Sequence, residues 1–113
     1  MPVRGWKFRI ADILEAVRDS LEITRGMDYE SFSQDKRTLK AVLYNLAVIG
    51  EAARKLPEDV TARYSSIPWR EMGDMRNVVI HDYFGIDPKI LWETIKNELP
   101  PLENRLKAIL ADG

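Results

Sequence analysis

Residues 39–56 read LKAVLYNLAVIGEAARKL, and their spacing decides the fold. Leu39, Val42, Leu43, Leu46, Ile49, Gly50, Ala53 and Leu56 recur three or four apart, which a helix gathers into one apolar stripe. Gly50 and Ala53 within that stripe are small, so a second helix can approach closely there. Ser33 or Asp35 stands upstream as a helix-starting cap.

The same period extends in both directions. Toward the N-terminus, Trp6, Ile10, Ile13, Leu14, Val17 and Leu21 mark a first helix running to about Arg25, with Gly26 placed as a left-handed terminator. Residues 28–33, DYESFS, begin with the capping residue Asp28 and leave room for one short turn. Toward the C-terminus, Pro57 can open a short helix and Pro68 a longer one reaching about Tyr83, each as a first residue. Asp87 and Pro88 form a further cap and first-position pair. Beyond them Ile90, Leu91, Ile95, Leu99, Leu102, Leu106, Ile109 and Leu110 set a last stripe. Pro100 and Pro101 lack amide protons and crowd the preceding turn, so this helix is expected to kink or break near residues 97–99.

No segment carries the period-two alternation of a half-buried strand, and VVIH at residues 78–81 sits inside a longer helical frame. The expected fold is all-α: an up-and-down bundle of four long helices plus short connecting helices, forming a single domain over residues 1–113.

Composition narrows the chemistry. A chain of 113 residues suffices for one core but not for a second domain with its own cleft, so an elaborate site would have to be shared between chains. The 45% apolar and 31% charged content describes a globular chain rather than a disordered one. The absence of cysteine removes disulfides, thiolate nucleophiles and thiolate metal sites, and a single histidine rules out a multi-histidine metal centre within one chain. No apolar run reaches the ~18 residues of a membrane span. The first ten residues alternate charges with aromatics where a signal peptide needs an unbroken apolar stretch, so a cytoplasmic location is expected. A formal charge of -1 argues against a general nucleic-acid coat protein, yet allows an enzyme that grips a few phosphates locally.

Candidate chemistry concentrates in residues 73–85, GDMRNVVIHDYFG, where Arg76, His81 and Tyr83 stand as Arg-x4-His-x-Tyr with Asn77 directly after the arginine. This arrangement resembles the signature of HepT-like HEPN proteins. Further segments resemble the same family: DILEAV at residues 12–17, AVLYNLAVIGEAARKLP at 41–57, IPWREMGDMRNVVIHDYFGID at 67–87 and LWETIKNELPPL at 91–102. Together they cover nearly all of the chain. The resemblance implies a HEPN-type helical domain that acts as the endoribonuclease toxin of a HEPN/MNT toxin–antitoxin pair, with Arg76 and His81 catalytic, Asn77 supporting, and no metal or cofactor. It implies a homodimer whose two motifs line one cleft, RNA as substrate, and a minimal nucleotidyltransferase antitoxin that places AMP on Tyr83. The alternative is a non-catalytic HEPN bundle serving as a partner- or nucleotide-binding dimerisation module.

The residue types suit RNA cleavage without a metal. When the ribose 2′-hydroxyl attacks the adjacent phosphate, one group must move a proton and another must balance charge on the phosphoryl oxygens; histidine titrates near neutrality, and guanidinium carries a permanent charge on a fork of donors. On one straight helix, however, His81 lies about 140° around the axis from Arg76, whereas Tyr83 shares the arginine's face. Three arrangements could unite them: a long Arg76 side chain reaching round, a helix that loosens before Gly85, or a groove between two copies. The resemblance favours the last. Ordinary structural roles compete at every position. Arg76 can pair with Glu71, Asp74, Asp82 or, across the bundle, Glu51. Asn77 can bond to a neighbouring helix, and Tyr83 can pack half-buried at a helix end. Trp6, Trp69 and Trp92 lie in or beside apolar stripes, where packing outweighs base stacking.

Overall fold

The computed structural model describes residues 5–112; residues 1–4 and 113, part of the expected domain span and N-terminal reading, lie outside the described residues. The long helices are α1 (Trp6–Ile23), α3 (Lys36–Arg54), α5 (Trp69–His81) and a composite last helix. The latter runs as α6 (Pro88–Glu93), a π-helical turn (Thr94–Glu98) and α7 (Leu99–Ala111). Short helices α2 (Tyr29–Gln34) and α4 (Glu58–Arg63) connect them, and a 3₁₀ turn (Tyr83–Gly85) follows α5. The described residues contain no strand, so the fold is the expected all-α bundle.

The helix boundaries follow local chemistry. Gly26, at φ 79°, ends the first helical segment in the left-handed region where glycine meets no steric cost. Asp28 caps α2: its Oδ1 accepts the Ser31 amide at 2.8 Å while Ser31 Oγ accepts the Asp28 amide at 3.2 Å. Asp35 caps α3, taking the Thr38 amide at 3.2 Å and the Thr38 hydroxyl at 2.9 Å. Donated hydrogen bonds stabilise both carboxylates in ionised form and hold them below the usual aspartate range, the Ser31 and Thr38 backbone amides contributing most. Pro57 and Pro68 stand one residue earlier than expected, as the residues preceding α4 and α5 rather than their first turns.

The two prolines near the chain's end do not break the last helix; they widen it. Leu99 donates to the Thr94 carbonyl five residues back, and the π turn takes up the crowding that Pro100 and Pro101 would create in a regular α-helix.

The core is continuous through all four long helices. Ile10, Ile13 and Val17 of α1 meet Val42, Leu46 and Ile49 of α3, Met72 and Val79 of α5, and Leu91, Ile95, Leu99, Leu102 and Leu106 of the last helix. The tryptophans pack as expected: Trp69 is buried, Trp92 lies 5.1 Å from the Phe32 ring and docks α2 on α6, and Trp6 lies 6.3 Å from the Tyr64 ring.

The closest approach is between α3 and α5, at Gly50. A Cβ built there would lie 2.6 Å from both the Met72 carbonyl oxygen and the Arg76 Cβ. On the facing helix, a Cβ at Gly73 would lie 2.7 Å from the Arg54 Cγ. The two helices therefore meet backbone to backbone, with glycine on each side. Gly50→Ala should lower stability by on the order of 2 kcal/mol. The overpacking against a backbone carbonyl outweighs the roughly 1 kcal/mol that alanine gains in helix propensity. A thermal melt followed by circular dichroism checks this: Gly85→Ala, with nothing within 4 Å and no positive φ, is the control, and an unchanged Gly50→Ala melt would refute the close approach.

Candidate functional site

Gly50 determines where Arg76 sits. Because the Arg76 backbone lies against the glycine, its side chain emerges beside the next residue of α3, and Arg76 Nε meets Glu51 Oε2 at 2.9 Å. Glu51 also faces Lys55 Nζ at 3.7 Å. The pairing anticipated across the bundle thus forms, and Glu71, Asp74 and Asp82 on the motif's own side of the bundle are not the partners.

Asn77 is a junction. Its Oδ1 accepts from Arg76 Nη1 at 3.1 Å and from Arg54 Nη1 at 3.1 Å, so one carboxamide oxygen holds two guanidinium groups from two helices. Asn77 also precedes His81 by one helical turn, at the i, i+4 spacing that puts two side chains on one face.

His81 is the last residue of α5 and is exposed. Its ring forms no hydrogen bond or ion pair among the described residues. The helix does loosen before Gly85, but only past His81, so the loosening does not carry the imidazole toward Arg76. Nor does the guanidinium reach round to it, since Arg76 is turned toward Glu51 and Asn77. Of the three arrangements, the two confined to a single chain are not realised.

Tyr83 opens the 3₁₀ turn, half-buried at the edge of the core, with its ring 5.1 Å from Phe84 at an interplanar angle of 89°. Its hydroxyl makes no hydrogen bond among the described residues. Phe84 is 99% exposed, and Val78 and Ile80 on α5 are also open to solvent. Among the described residues no group of three His, Asp or Glu side chains stands where it could hold a metal ion, and no helix is long and apolar enough to cross a membrane.

The family model for HepT-like ribonucleases matches residues 13–109, a span that contains the whole constellation. The chain belongs to the HepT-like ribonuclease family. It is 41% identical over 112 residues to a candidate RNase of Methanocaldococcus jannaschii, covering 99% of this chain and 93% of that one. It is also 41% identical over 106 residues to a probable ribonuclease HepT of Thermococcus cleftensis, covering 94% and 96% of the two chains. A candidate RNase of Caldanaerobacter subterraneus is 39% identical over 98 residues, covering 87% and 88%. No solved structure matches the chain.

Within this HepT-like frame one residue escapes a reading centred on the motif. Arg54 lies outside residues 73–85, yet it joins Asn77. The signal was its place four residues beyond Gly50, on the face that α5 approaches.

The Arg76 and Glu51 side chains are 32% and 42% exposed, so solvent screens their attraction. Glu51→Gln should therefore cost about 1 kcal/mol or less, leaving the melting temperature within a few degrees of the parent. A loss of many degrees would show that the pair is a buried structural tie instead.

Proposed function

We propose that this HepT-like ribonuclease cleaves RNA without a metal ion, in a groove formed by two copies of the chain. The observation that carries this reading is the separation of the motif within one chain. Arg76 is anchored toward Glu51 and Asn77, while His81 stands exposed at the end of α5 with no partner of its own. Exposed Val78, Ile80 and Phe84 surround that end and supply apolar area for a second copy to cover. Two copies bring two histidines to a chain that has one.

The chemistry then needs only the chain's own side chains. One neutral His81 imidazole takes the proton of the ribose 2′-hydroxyl as that oxygen attacks the neighbouring phosphorus. The phosphorus–O5′ bond breaks, and a protonated imidazole returns a proton to the departing 5′-oxygen, leaving a 2′,3′-cyclic phosphate. The Arg76 guanidinium, with donors beyond those spent on Glu51 and Asn77, balances charge on the phosphoryl oxygens. Asn77 keeps that guanidinium oriented.

The further reading is of a cytoplasmic toxin silenced by a nucleotidyltransferase antitoxin. The Tyr83 phenol oxygen attacks the α-phosphorus of ATP, a new P–O bond forms, pyrophosphate departs and the phenolic proton passes to solvent. The absence of a hydrogen bond to the Tyr83 hydroxyl among the described residues supports its availability. An adenylate two residues from His81 would place negative charge where the RNA phosphate must sit.

Arg76→Ala and His81→Ala should each lower cleavage of single-stranded RNA by at least about 10²-fold while leaving the melt within a few degrees. Mixing the two inactive variants under conditions of subunit exchange should restore part of the activity, and excess EDTA should not reduce the parent rate. Folded, inert parent protein would instead favour a non-catalytic bundle that binds a partner or nucleotide. Activity retained in both variants would remove these residues from the mechanism.

Tyr83 has its own test. Incubation with a cognate minimal nucleotidyltransferase, ATP and magnesium should add adenylate mass to the parent and none to Tyr83→Phe. An unmodified parent, or a Tyr83→Phe variant modified and silenced equally, would exclude the tyrosine as acceptor.

A further inference from the structure

We infer that Arg54 is a second phosphate-binding residue of the site, holding the RNA backbone phosphate adjacent to the one at Arg76, with Asn77 as the spacer between the two guanidinium groups. The inference rests on the reading of Arg76 as the residue that faces the reacting phosphate.

Three observations lead there. Arg54 Nη1 and Arg76 Nη1 each lie 3.1 Å from the same Asn77 oxygen, so the two nitrogens are separated by twice that distance at most. Two like charges held this close repel each other unless an anion lies across them. Second, the two arginines differ in their counterions. Arg76 has Glu51, whereas Arg54 forms no ion pair with a carboxylate among the described residues, although Glu58 and Glu71 line the same groove together with Arg70. Arg54 spends a donor on Asn77, and the rest of its fork remains for phosphate oxygens. Third, its position is built. The Arg54 stem crosses α5 where a Cβ at Gly73 would come 2.7 Å from its Cγ, so the glycine leaves the space that the stem occupies.

The charge distribution sets a direction for the strand. Arg76 and Lys55 pair with Glu51 near the end of α3, and Arg54 joins Arg76 through Asn77. On the other side of Glu51, the groove between α1 and α3 is lined by Asp12, Glu15 and Asp19 with Arg9. A polyanion is repelled from that groove and drawn toward α5, where Arg54 lies beside Arg76. A chain with a net charge of -1 thus acquires a local cationic surface.

The test separates charge from packing. Arg54→Met keeps an apolar stem over Gly73 and removes the charge; Arg54→Lys keeps the charge and loses the fork. Binding of a fluorescein-labelled single-stranded oligoribonucleotide is followed by anisotropy across a salt series, in a His81→Ala background so that the strand stays intact. Arg54→Met should weaken binding about tenfold and lower the slope of log affinity against log salt by about 0.7, the value for one lost phosphate contact on a single strand. Arg54→Lys should keep the slope. In the active protein, Arg54→Met should raise KM about tenfold with kcat within about twofold, as expected of a contact made equally to substrate and transition state. An Arg54→Met variant that folds and binds with unchanged affinity, slope and KM would reduce Arg54 to a packing role and overturn the inference alone. Parent protein that neither binds nor cleaves RNA would overturn the underlying reading as well.

Discussion

The contact at Gly50 governs the arrangement of the site. Helices packed through ordinary side chains keep their axes 8–10 Å apart, and glycines facing each other's helix allow backbones to come nearer. Here the glycine meets Met72 and Arg76 from α5, and Gly73 reciprocates by accepting the stem of Arg54. The approach fixes the register of α3 against α5, and register decides which side chains meet. Glu51 follows Gly50 and Arg54 lies one turn further on, so both reach the motif helix on its Arg76 and Asn77 side. A packing feature of two small residues thus becomes the frame for a charged network.

Much of the fold was legible because the apolar period runs almost unbroken through four segments. Gly26, Asp35 and the Asp87–Pro88 pair mark boundaries by local chemistry that does not depend on tertiary context. Pro100 and Pro101 were read as a kink or break because a proline ring collides with a regular α turn. The chain instead keeps Ile95 and Leu99 in the core by widening one turn, a gain in burial that a local rule cannot weigh. In the site, the spacing of Arg76, Asn77, His81 and Tyr83 was visible, as was the angular mismatch of the histidine. The choice of Glu51 among several carboxylates was not, because it follows from helix register. Arg54 carries one signal, its place four residues beyond Gly50, and that signal gains meaning only once α5 is known to pack against the glycine.

The charged residues show how little the total charge of a small protein says about its surface. Carboxylates crowd the α1 and α3 groove, while the Arg54 and Arg76 guanidiniums meet at Asn77 on α5. Family membership fits this economy. The chain has one histidine, which stands exposed at the end of α5, while Arg76 is restrained by Glu51 and Asn77.

The widened turn at Thr94–Glu98 bears on the residue count of the last helix as well as on its composition. A π turn spends more residues per rotation than an α turn, and Leu91 before it, Ile95 within it and Leu102, Leu106 and Ile109 after it all remain in the core. A change of one residue in a regular α turn rotates everything beyond it by about 100°, whereas the wide turn holds a residue of slack that an α turn lacks. The segment therefore works as a phase adjuster. It is the place in the last helix where a change in residue count has slack to be taken up before it reaches the leucines of α7.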